Sequence, residues 1–163
     1  MRTRIAEPSN LEAVTGMINL AFRPGRDYID GDRITLDAVR DLAAKGKFIL
    51  IYDTASLAGC VYIEPRGERA YLGLLSVDPG RQRSGIGSLL MQVAEEHCRN
   101  AGCRYLDLEI INLRETLPAF YRRLGYYETG TAPFPEHLVP KVPCHFVTMT
   151  KDLDQTARTA PLT

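Results

Sequence analysis

Residues 74–88, Leu-Leu-Ser-Val-Asp-Pro-Gly-Arg-Gln-Arg-Ser-Gly-Ile-Gly-Ser, predict how the middle of this chain folds. The apolar residues up to Val77 are typical of a buried strand, and Asp78-Pro79-Gly80 is a turn sequence. Apolar side chains at helical spacing then run through residues 84–101, with Gly102 at the position of a C-terminal cap. We therefore expect a strand, a tight turn and the start of a long helix.

A glycine-lined helix start that directly follows a strand is typical of a phosphate-binding site. The first amides of a helix have no partner within it, and the helix dipole favours an anion there. Gly85 and Gly87 lack the side chains that would keep a phosphate away from these amides. Arg81 and Arg83 add positive charge at the same end. The pattern predicts a nucleotide-like ligand that carries a pyrophosphate.

Two common nucleotide-binding motifs do not fit this stretch. A Walker loop needs a Gly-x-x-x-x-Gly-Lys run, which the chain lacks. A dinucleotide fingerprint needs a third glycine where this chain has Leu90. A different nucleotide, or a tight turn with no ligand at all, is the alternative interpretation of the two glycines.

The run Gln82-Arg83-Ser84-Gly85-Ile86-Gly87 resembles the Gln/Arg-x-x-Gly-x-Gly/Ala motif of the Gcn5-related N-acetyltransferases (GNAT family). In that family the loop holds the pyrophosphate of acetyl-coenzyme A. Further along, Asn112 is followed by Phe120-Tyr121-Arg122-Arg123-Leu124-Gly125-Tyr126, which is similar to the family's second landmark. The interval from Asn112 to Tyr121 is longer than the family's usual spacing. The resemblance extends over residues 2 to about 151.

The element pattern predicts a mixed α/β fold: a strand, two helices, three antiparallel strands, a helix, a strand, a helix and two strands. The resemblance implies a mostly antiparallel, V-shaped sheet of six to seven strands with helices on both faces. In that fold the strand at 74–77 and the strand at 105–111 splay apart, and the pantetheine arm pairs with the first of them. We expect one domain over residues 1–151 and a flexible tail over residues 152–163.

The resemblance implies an N-acetyltransferase that moves an acetyl group from acetyl-coenzyme A directly to a primary amine. Tyr121 is then the candidate general acid for the leaving thiolate. A coenzyme A thiol should titrate like cysteine, near about 8.5, and tyrosine titrates near about 10, so a positioned phenol can share its proton. Since Tyr121 shares an apolar helix stripe with Leu117 and Leu124, packing in the core is its alternative role.

The resemblance also implies which residues contact the cofactor. Backbone amides of Leu75 and Val77 are expected beside the pantetheine and the carbonyl oxygen. Asn112 and Arg123 are further candidates, and Arg123 has a solvated helix face as its alternative. The loop and the first helical turn contribute the rest of the set: Gln82, Arg83, Ser84, Gly85, Ile86, Gly87 and Ser88.

The general base stays open among several side chains and a water molecule. Tyr71 stands where some relatives carry a glutamate, and Glu64 and His145 are also candidates. Strand alternation places Asp107 and Glu109 opposite the apolar side chains of their strand. A carboxylate there either orients an amine or pairs with an arginine.

Composition narrows the remaining possibilities. The chain has 20 Lys plus Arg and 20 Asp plus Glu, and this balance argues against a general nucleic-acid binder. A polar N-terminus and the lack of a long apolar run predict no signal peptide, no membrane contact and a cytoplasmic location. The cysteines form no Cys-x-x-Cys pair, which predicts buried thiols and no metal site. They are Cys60, Cys98, Cys103 and Cys144.

The acceptor is expected to be a small-molecule or peptide amine held by the 22–33 and 131–143 loops, because variable loops carry specificity. A monomer or a homodimer is expected. The alternative function is a non-catalytic module that binds acyl-coenzyme A. Turnover with an amine panel separates this module from an enzyme.

Overall fold

The computed structural model describes residues 1–23, 31–82, 84–114, 116–134, 136 and 140–153. Its strands form one seven-stranded sheet in the order β1-β2-β3-β4-β5-β7-β6. The elements in chain order are β1 (Arg2–Ile5), α1 (Leu11–Ala21), α2 (Leu36–Lys45), β2 (Lys47–Asp53), β3 (Ser56–Arg66), β4 (Arg69–Val77), α3 (Ile86–Asn100), β5 (Tyr105–Ile111), α4 (Thr116–Arg123), β6 (Tyr127–Ala132) and β7 (Phe146–Asp152).

The V shape of the sheet arises between β4 and β5. These two strands are parallel and pair only from Arg69↔Tyr105 to Tyr71↔Asp107, whereas the other neighbouring strands are antiparallel. A bulge then redirects β4: Leu74 has a φ of +57°, and the register with β3 shifts near it. Because β5 continues along β7, the two strands separate beyond Tyr71. The predicted mostly antiparallel, V-shaped sheet is confirmed.

Helices cover both faces of the sheet, as expected from the sequence. Side chains of α1 and α2, such as Ile18 and Val39, pack with Phe48 and Tyr62 on one face. Side chains of α3 and α4, such as Leu90, pack on the other face. Alternate residues of β2 enter the two cores, which is the two-residue period of a strand covered on both sides.

The observed bounds of the long helix and of the packed chain at its C-terminal end differ from the predicted ones. The long helix starts at Ile86, because Gly85 takes a left-handed φ of +84° as its N-cap residue. At the other end of the domain, β7 reaches Asp152 and Leu153 is fully buried, so packed chain extends past residue 151. Residues 154–163 of the predicted tail lie outside the described residues.

Three of the four cysteines are small buried groups, as predicted, and the fourth is not fully buried. Cys60, Cys98 and Cys103 are buried free thiols, and Cys144 is half-buried. Burial raises the pKa of Cys60 and of Cys98 to about 12. These thiols therefore stay neutral at physiological pH and contribute packing.

A buried carboxylate joins α3 to the last strands. Glu95 is only 6% exposed. It accepts hydrogen bonds from the hydroxyl of Tyr126 at 3.0 Å and from Nζ of Lys151 at 2.7 Å. The guanidinium of Arg99 lies 3.6 Å away. These contacts attach α3 to β7.

Replacing this carboxylate should cost stability. We expect Glu95→Ala to lower the free energy of unfolding by about 3 kcal/mol, because it leaves a partly buried ammonium group and a buried hydroxyl without their partner. Urea denaturation measures the change. Glu96→Ala, at the exposed neighbouring position, is the control and should change stability by less than about 0.5 kcal/mol. Equal stability of the two variants would contradict this account.

Candidate active site

The separation of β4 from β5 opens a cavity of about 640 Å³, which we call the cleft. Its walls are the end of β4, the first turn of α3, the end of β5 and one face of α4. Predicted site residues that line it are Leu75, Val77, Gln82, Gly85, Ile86, Gly87, Ser88, Tyr121 and Arg123. Most of the residues singled out from the sequence are therefore brought together in one place.

The first turn of α3 lines the cleft. Leu89 donates the first bond of the helix, to the carbonyl of Gly85 at 3.0 Å. The amides of Ile86, Gly87 and Ser88 precede that bond and have no partner within the helix. A Cβ atom added to Gly87 would lie 3.6 Å from Phe120 Cζ and 3.8 Å from Val77 Cγ2. Position 87 therefore faces the space between α4 and β4.

The loop before α3 is braced by side chains. The Oγ of Ser84 donates to the carbonyl of Arg81, and Asp78 accepts from the amide of Gly80 at 3.0 Å. Arg81 lines the cleft and lies 3.5 Å from Asp78 and 3.8 Å from Asp53, so its charge is partly balanced. Arg83 lies outside the described residues.

Tyr121 lies at the inner wall of the cleft and is 6% exposed. Its ring meets those of Phe120 and Tyr126 edge to face, at centroid distances of 5.0 and 5.8 Å. Burial raises its pKa well above the ordinary tyrosine value, and the charge of Arg114 opposes that shift. The phenol is therefore protonated at neutral pH, and its pKa lies further above that of a thiol than the ordinary tyrosine value from which the role of general acid was predicted. The two alternatives predicted for Tyr121, packing in the core and a position in the active site, are compatible. The ring packs against its neighbours, and the residue still borders the cleft.

Asn112 is placed differently from the other predicted residues. Its Oδ1 accepts a hydrogen bond from the amide of His145 at 2.9 Å, and its own amide donates to the His145 carbonyl at 3.0 Å. These two bonds tie the end of β5 to the start of β7. Among the described residues that line the cleft, neither Asn112 nor His145 is present.

Two of the candidate bases are engaged by arginines. Glu64 accepts hydrogen bonds from Arg66 and from the hydroxyl of Tyr62, and these bonds lower its pKa. Asp107 receives two bonds from Arg69, at 2.7 and 2.6 Å, and one from Thr150. Although burial alone would raise the pKa of Asp107, these bonds lower it. Both carboxylates are held as anions by their partners.

Glu109 and Tyr71 have a different environment. Both line the cleft and also a second cavity of about 450 Å³ on the α1–α2 side of the sheet. Glu109 is exposed on its strand, and partial desolvation in the cleft raises its pKa, against the charges of Arg66 and Arg33. Burial and the charge of Glu109 raise the pKa of Tyr71. Near neutral pH, Glu109 is therefore the more basic carboxylate of this region, and Tyr71 is a neutral phenol.

Sequence reasoning missed several residues that line the cleft. Phe22, Arg33, Arg114 and Phe120 are among them. Arg33 falls inside the 22–33 loop that was expected to contact the acceptor, so its position in the sequence could have identified it as a candidate site residue. Arg114 follows β5 in a segment with no recognisable pattern, and only the fold brings it near Tyr121.

No cluster of three or more His, Cys, Asp or Glu side chains in the described ranges is arranged to hold a metal ion. No helix in the same ranges has the length and apolar character that crossing a membrane requires.

Comparison with known proteins agrees with this geometry. The model of the acetyltransferase (GNAT) family matches residues 12–126. The streptothricin acetyltransferase of Streptomyces lavendulae is 31% identical over 109 residues, which are 60% of this chain and 57% of that protein. The ribosomal-protein-S18-alanine N-acetyltransferase from Escherichia coli superposes with a TM-score of 0.78 at 16% identity, over 93% of both chains. The yncA structure from Salmonella typhimurium, which contains its cofactor acetyl-CoA, gives a TM-score of 0.75 at 16% identity over 94% of both chains.

The chain belongs to the GNAT family of acetyltransferases, because the family match covers well over half of it. The resemblance drawn from the Gln82–Gly87 motif is thereby confirmed. The two structural likenesses, at 16% identity, show the fold alone. The chain spans about half the length of the curated relatives that it matches.

Proposed function

We propose that this chain transfers an acetyl group from acetyl-coenzyme A to the primary amine of a small molecule or peptide. One observation carries the proposal: the first turn of α3, the stretch of β4 that diverges from β5 and Tyr121 border the same cleft. An anion site, a strand edge and a proton donor are what a bound thioester of this cofactor requires.

The residues of the cleft fit the two chemical parts of the cofactor. Acetyl-coenzyme A supplies the acetyl group as an activated thioester and a pyrophosphate at the other end of its pantetheine arm. The amides of Ile86, Gly87 and Ser88 would hold the pyrophosphate. On the side of β5, the edge of β4 from Leu75 to Val77 pairs with no strand among the described residues, so its backbone groups are suited to pair with the amides of the arm.

The acceptor would approach from the α1–α2 side of the sheet. The second cavity lies there, and it shares Tyr71, Leu108 and Glu109 with the cleft. An amine in this position lies between a carboxylate with a raised pKa and the end of the pantetheine arm. The two cavities are thus suited to hold the two substrates on either side of the splayed strands.

We assign the general base to Glu109 and the proton donor to Tyr121. The amine nitrogen bonds to the carbonyl carbon as the C–S bond breaks, Glu109 takes a proton from the nitrogen, and Tyr121 gives one to the sulfur. Exchange with water restores both side chains. A backbone amide near the Leu74 bulge would stabilise the carbonyl oxygen.

The proposal is tested by binding and by turnover. At about a hundred times its dissociation constant, acetyl-coenzyme A should stabilise the fold by roughly 2.7 kcal/mol, which a thermal melt detects. An amine panel should then release free thiol. Stabilisation by the cofactor without thiol release from any amine would favour the alternative, a module that binds acyl-coenzyme A without catalysis. Stabilisation by ATP or NAD instead would exclude both.

Glu109→Gln should separate activity from stability. We expect kcat/KM to fall by about a hundredfold and to lose the limb that rises with pH, since a neutral amide takes no proton. In the parent, this limb should lie above the ordinary glutamate range, because partial desolvation raises the pKa of Glu109.

The same substitution should raise the melting temperature at neutral pH. A carboxylate whose pKa is raised by folding contributes stability that is complete below its ordinary pKa and is lost as pH rises through the folded value. Because glutamine carries no charge, the Glu109→Gln variant does not lose this stability as the pH rises. Glu64→Gln, on the next strand but one and held by Arg66, is the control and should keep the acidic limb. An unchanged pH profile in Glu109→Gln would remove Glu109 from the mechanism.

A further inference from the structure

Glu109 and Arg33 are charged side chains of the cleft that have no partner of opposite charge among the described residues; Arg114 and Arg123, which lie before and at the end of α4, also line the cleft without an ion pair in that part of the chain. Glu109 comes from β5, and Arg33 precedes α2. Within the described part of the chain, neither forms a salt bridge or a side-chain hydrogen bond. The guanidinium of Arg33 instead lies over the ring of Phe22, at 5.5 Å from its centroid.

The surrounding charges are balanced in contrast. Arg66 is paired with Glu64, and Arg69 with Asp107 at 2.6 Å. Arg66 and Arg69 also lie over the rings of Tyr71 and Tyr105. Away from α4, the unpaired charges of the cleft are therefore one cation, Arg33, and one anion, Glu109, and Glu109 also borders the second cavity, which the acceptor is proposed to enter.

Glu109 and Arg33 influence each other without forming a direct ion pair. Burial lowers the pKa of Arg33 and the charge of Glu109 opposes that shift; partial desolvation raises the pKa of Glu109 and Arg33 opposes it. Arg33 thus loses hydration without gaining a partner among the described residues, which costs free energy, whereas Glu109 is exposed. A ligand carboxylate on Arg33 recovers this cost, and a ligand amine supplies the opposite charge for Glu109.

We propose that the acceptor is a primary amine that also carries a carboxylate, as a free amino acid does, with its nitrogen at Glu109 and its carboxylate on Arg33. The proposal rests on the proposed function, since it names the substrate class of the same cleft. A guanidinium binds a carboxylate through two parallel hydrogen bonds. The ring of Phe22 keeps the guanidinium at the edge of the cleft.

Matched substrates test the role of the carboxylate. Thiol release from saturating acetyl-coenzyme A is measured with L-amino acids and with the corresponding amino-acid amides, which keep the shape and lose the charge. We expect kcat/KM to be at least about tenfold higher for the acids, the size expected of one hydrogen-bonded charge pair. Amides used as well as acids, or transfer to uncharged amines and polyamines alone, would overturn the inference and leave the proposed function intact.

Variants of Arg33 assign the preference to one residue. Arg33→Gln should abolish the preference for amino acids over their amides, by lowering kcat/KM for the acids about tenfold with little change for the amides. Arg33→Lys keeps the charge and should restore part of the preference. Arg40→Gln removes an exposed arginine of α2 that pairs with Asp37, and it should change nothing. An equal loss for acids and amides in Arg33→Gln would contradict the assignment.

A binding measurement covers the case in which no amine releases thiol. That result would refute the proposed catalysis, and the acceptor site is then tested alone, with coenzyme A present. Thermal stabilisation by an amino acid beyond that by its amide, lost in Arg33→Gln, would support the inference. Equal stabilisation by acid and amide would overturn it.

Discussion

Gly87→Glu should weaken binding of acetyl-coenzyme A by at least about a hundredfold while the protein stays folded. The new side chain starts between Phe120 and Val77 and carries negative charge to the amides that are proposed to hold the pyrophosphate. Losing two hydrogen bonds to a charged group costs about 3–6 kcal/mol, which is a hundredfold or more in affinity. Isothermal titration measures the change.

The fold should tolerate this substitution. Its Cβ atom would meet its neighbours at ordinary contact distances. Glutamate is also a better helix former than glycine and is favoured near a helix N-terminus. Gly87→Gln, with the same bulk and no charge, separates steric from electrostatic loss. Gly16→Glu adds the same charge to α1, where a Cβ would have open space, and it should leave affinity unchanged. Full affinity in Gly87→Glu would move the phosphate site elsewhere.

Tyr121→Phe should lower kcat by about a hundredfold or more and leave cofactor affinity nearly unchanged. The substitution removes the proposed proton donor and keeps the ring that packs against Phe120 and Tyr126. A group that acts only in the transition state affects kcat and not binding of the ground state. Steady-state kinetics at saturating acetyl-coenzyme A measures the loss.

Tyr126→Phe is the matched control for a merely structural tyrosine. Its hydroxyl donates to the buried carboxylate of Glu95, and the ring packs edge to face with Tyr121. We expect this variant to lose about 1.5–3 kcal/mol of stability and to keep its kcat. If Tyr121→Phe loses stability instead of turnover, Tyr121 is a core residue and the cofactor assignment is unaffected.

The fold followed from local patterns that the structure bears out. Three segments have residues that suit only a few backbone conformations: the turn at Asp78–Gly80, the glycines before α3 and the cap at Gly102. The bulge at Leu74 was not predictable from composition, because a leucine with positive φ is held there by its surroundings. That bulge lies on the stretch of β4 that diverges from β5.

The candidate site was predictable where it depends on backbone. Residues of the glycine turn and Tyr121 are close in the fold because a motif and a helix pattern fix their positions. The choice among acidic residues was not predictable. Whether a carboxylate forms an ion pair depends on arginines from other strands. Arg69 of β4 pairs with Asp107, whereas Glu109 of the same strand as Asp107 has no such partner among the described residues. The single-domain organisation and the individual site roles stay predictions.

The most direct test of the account is the stoichiometry of transfer by the intact chain. Purified protein, acetyl-coenzyme A and an amine panel that includes free amino acids are incubated together, and free thiol and acetylated amine are quantified in the same sample. The account predicts equal amounts of both products, formed at a rate that falls in Tyr121→Phe and Glu109→Gln. Thiol release without an acetylated amine, or a cofactor that binds the cleft and is never consumed, would contradict it.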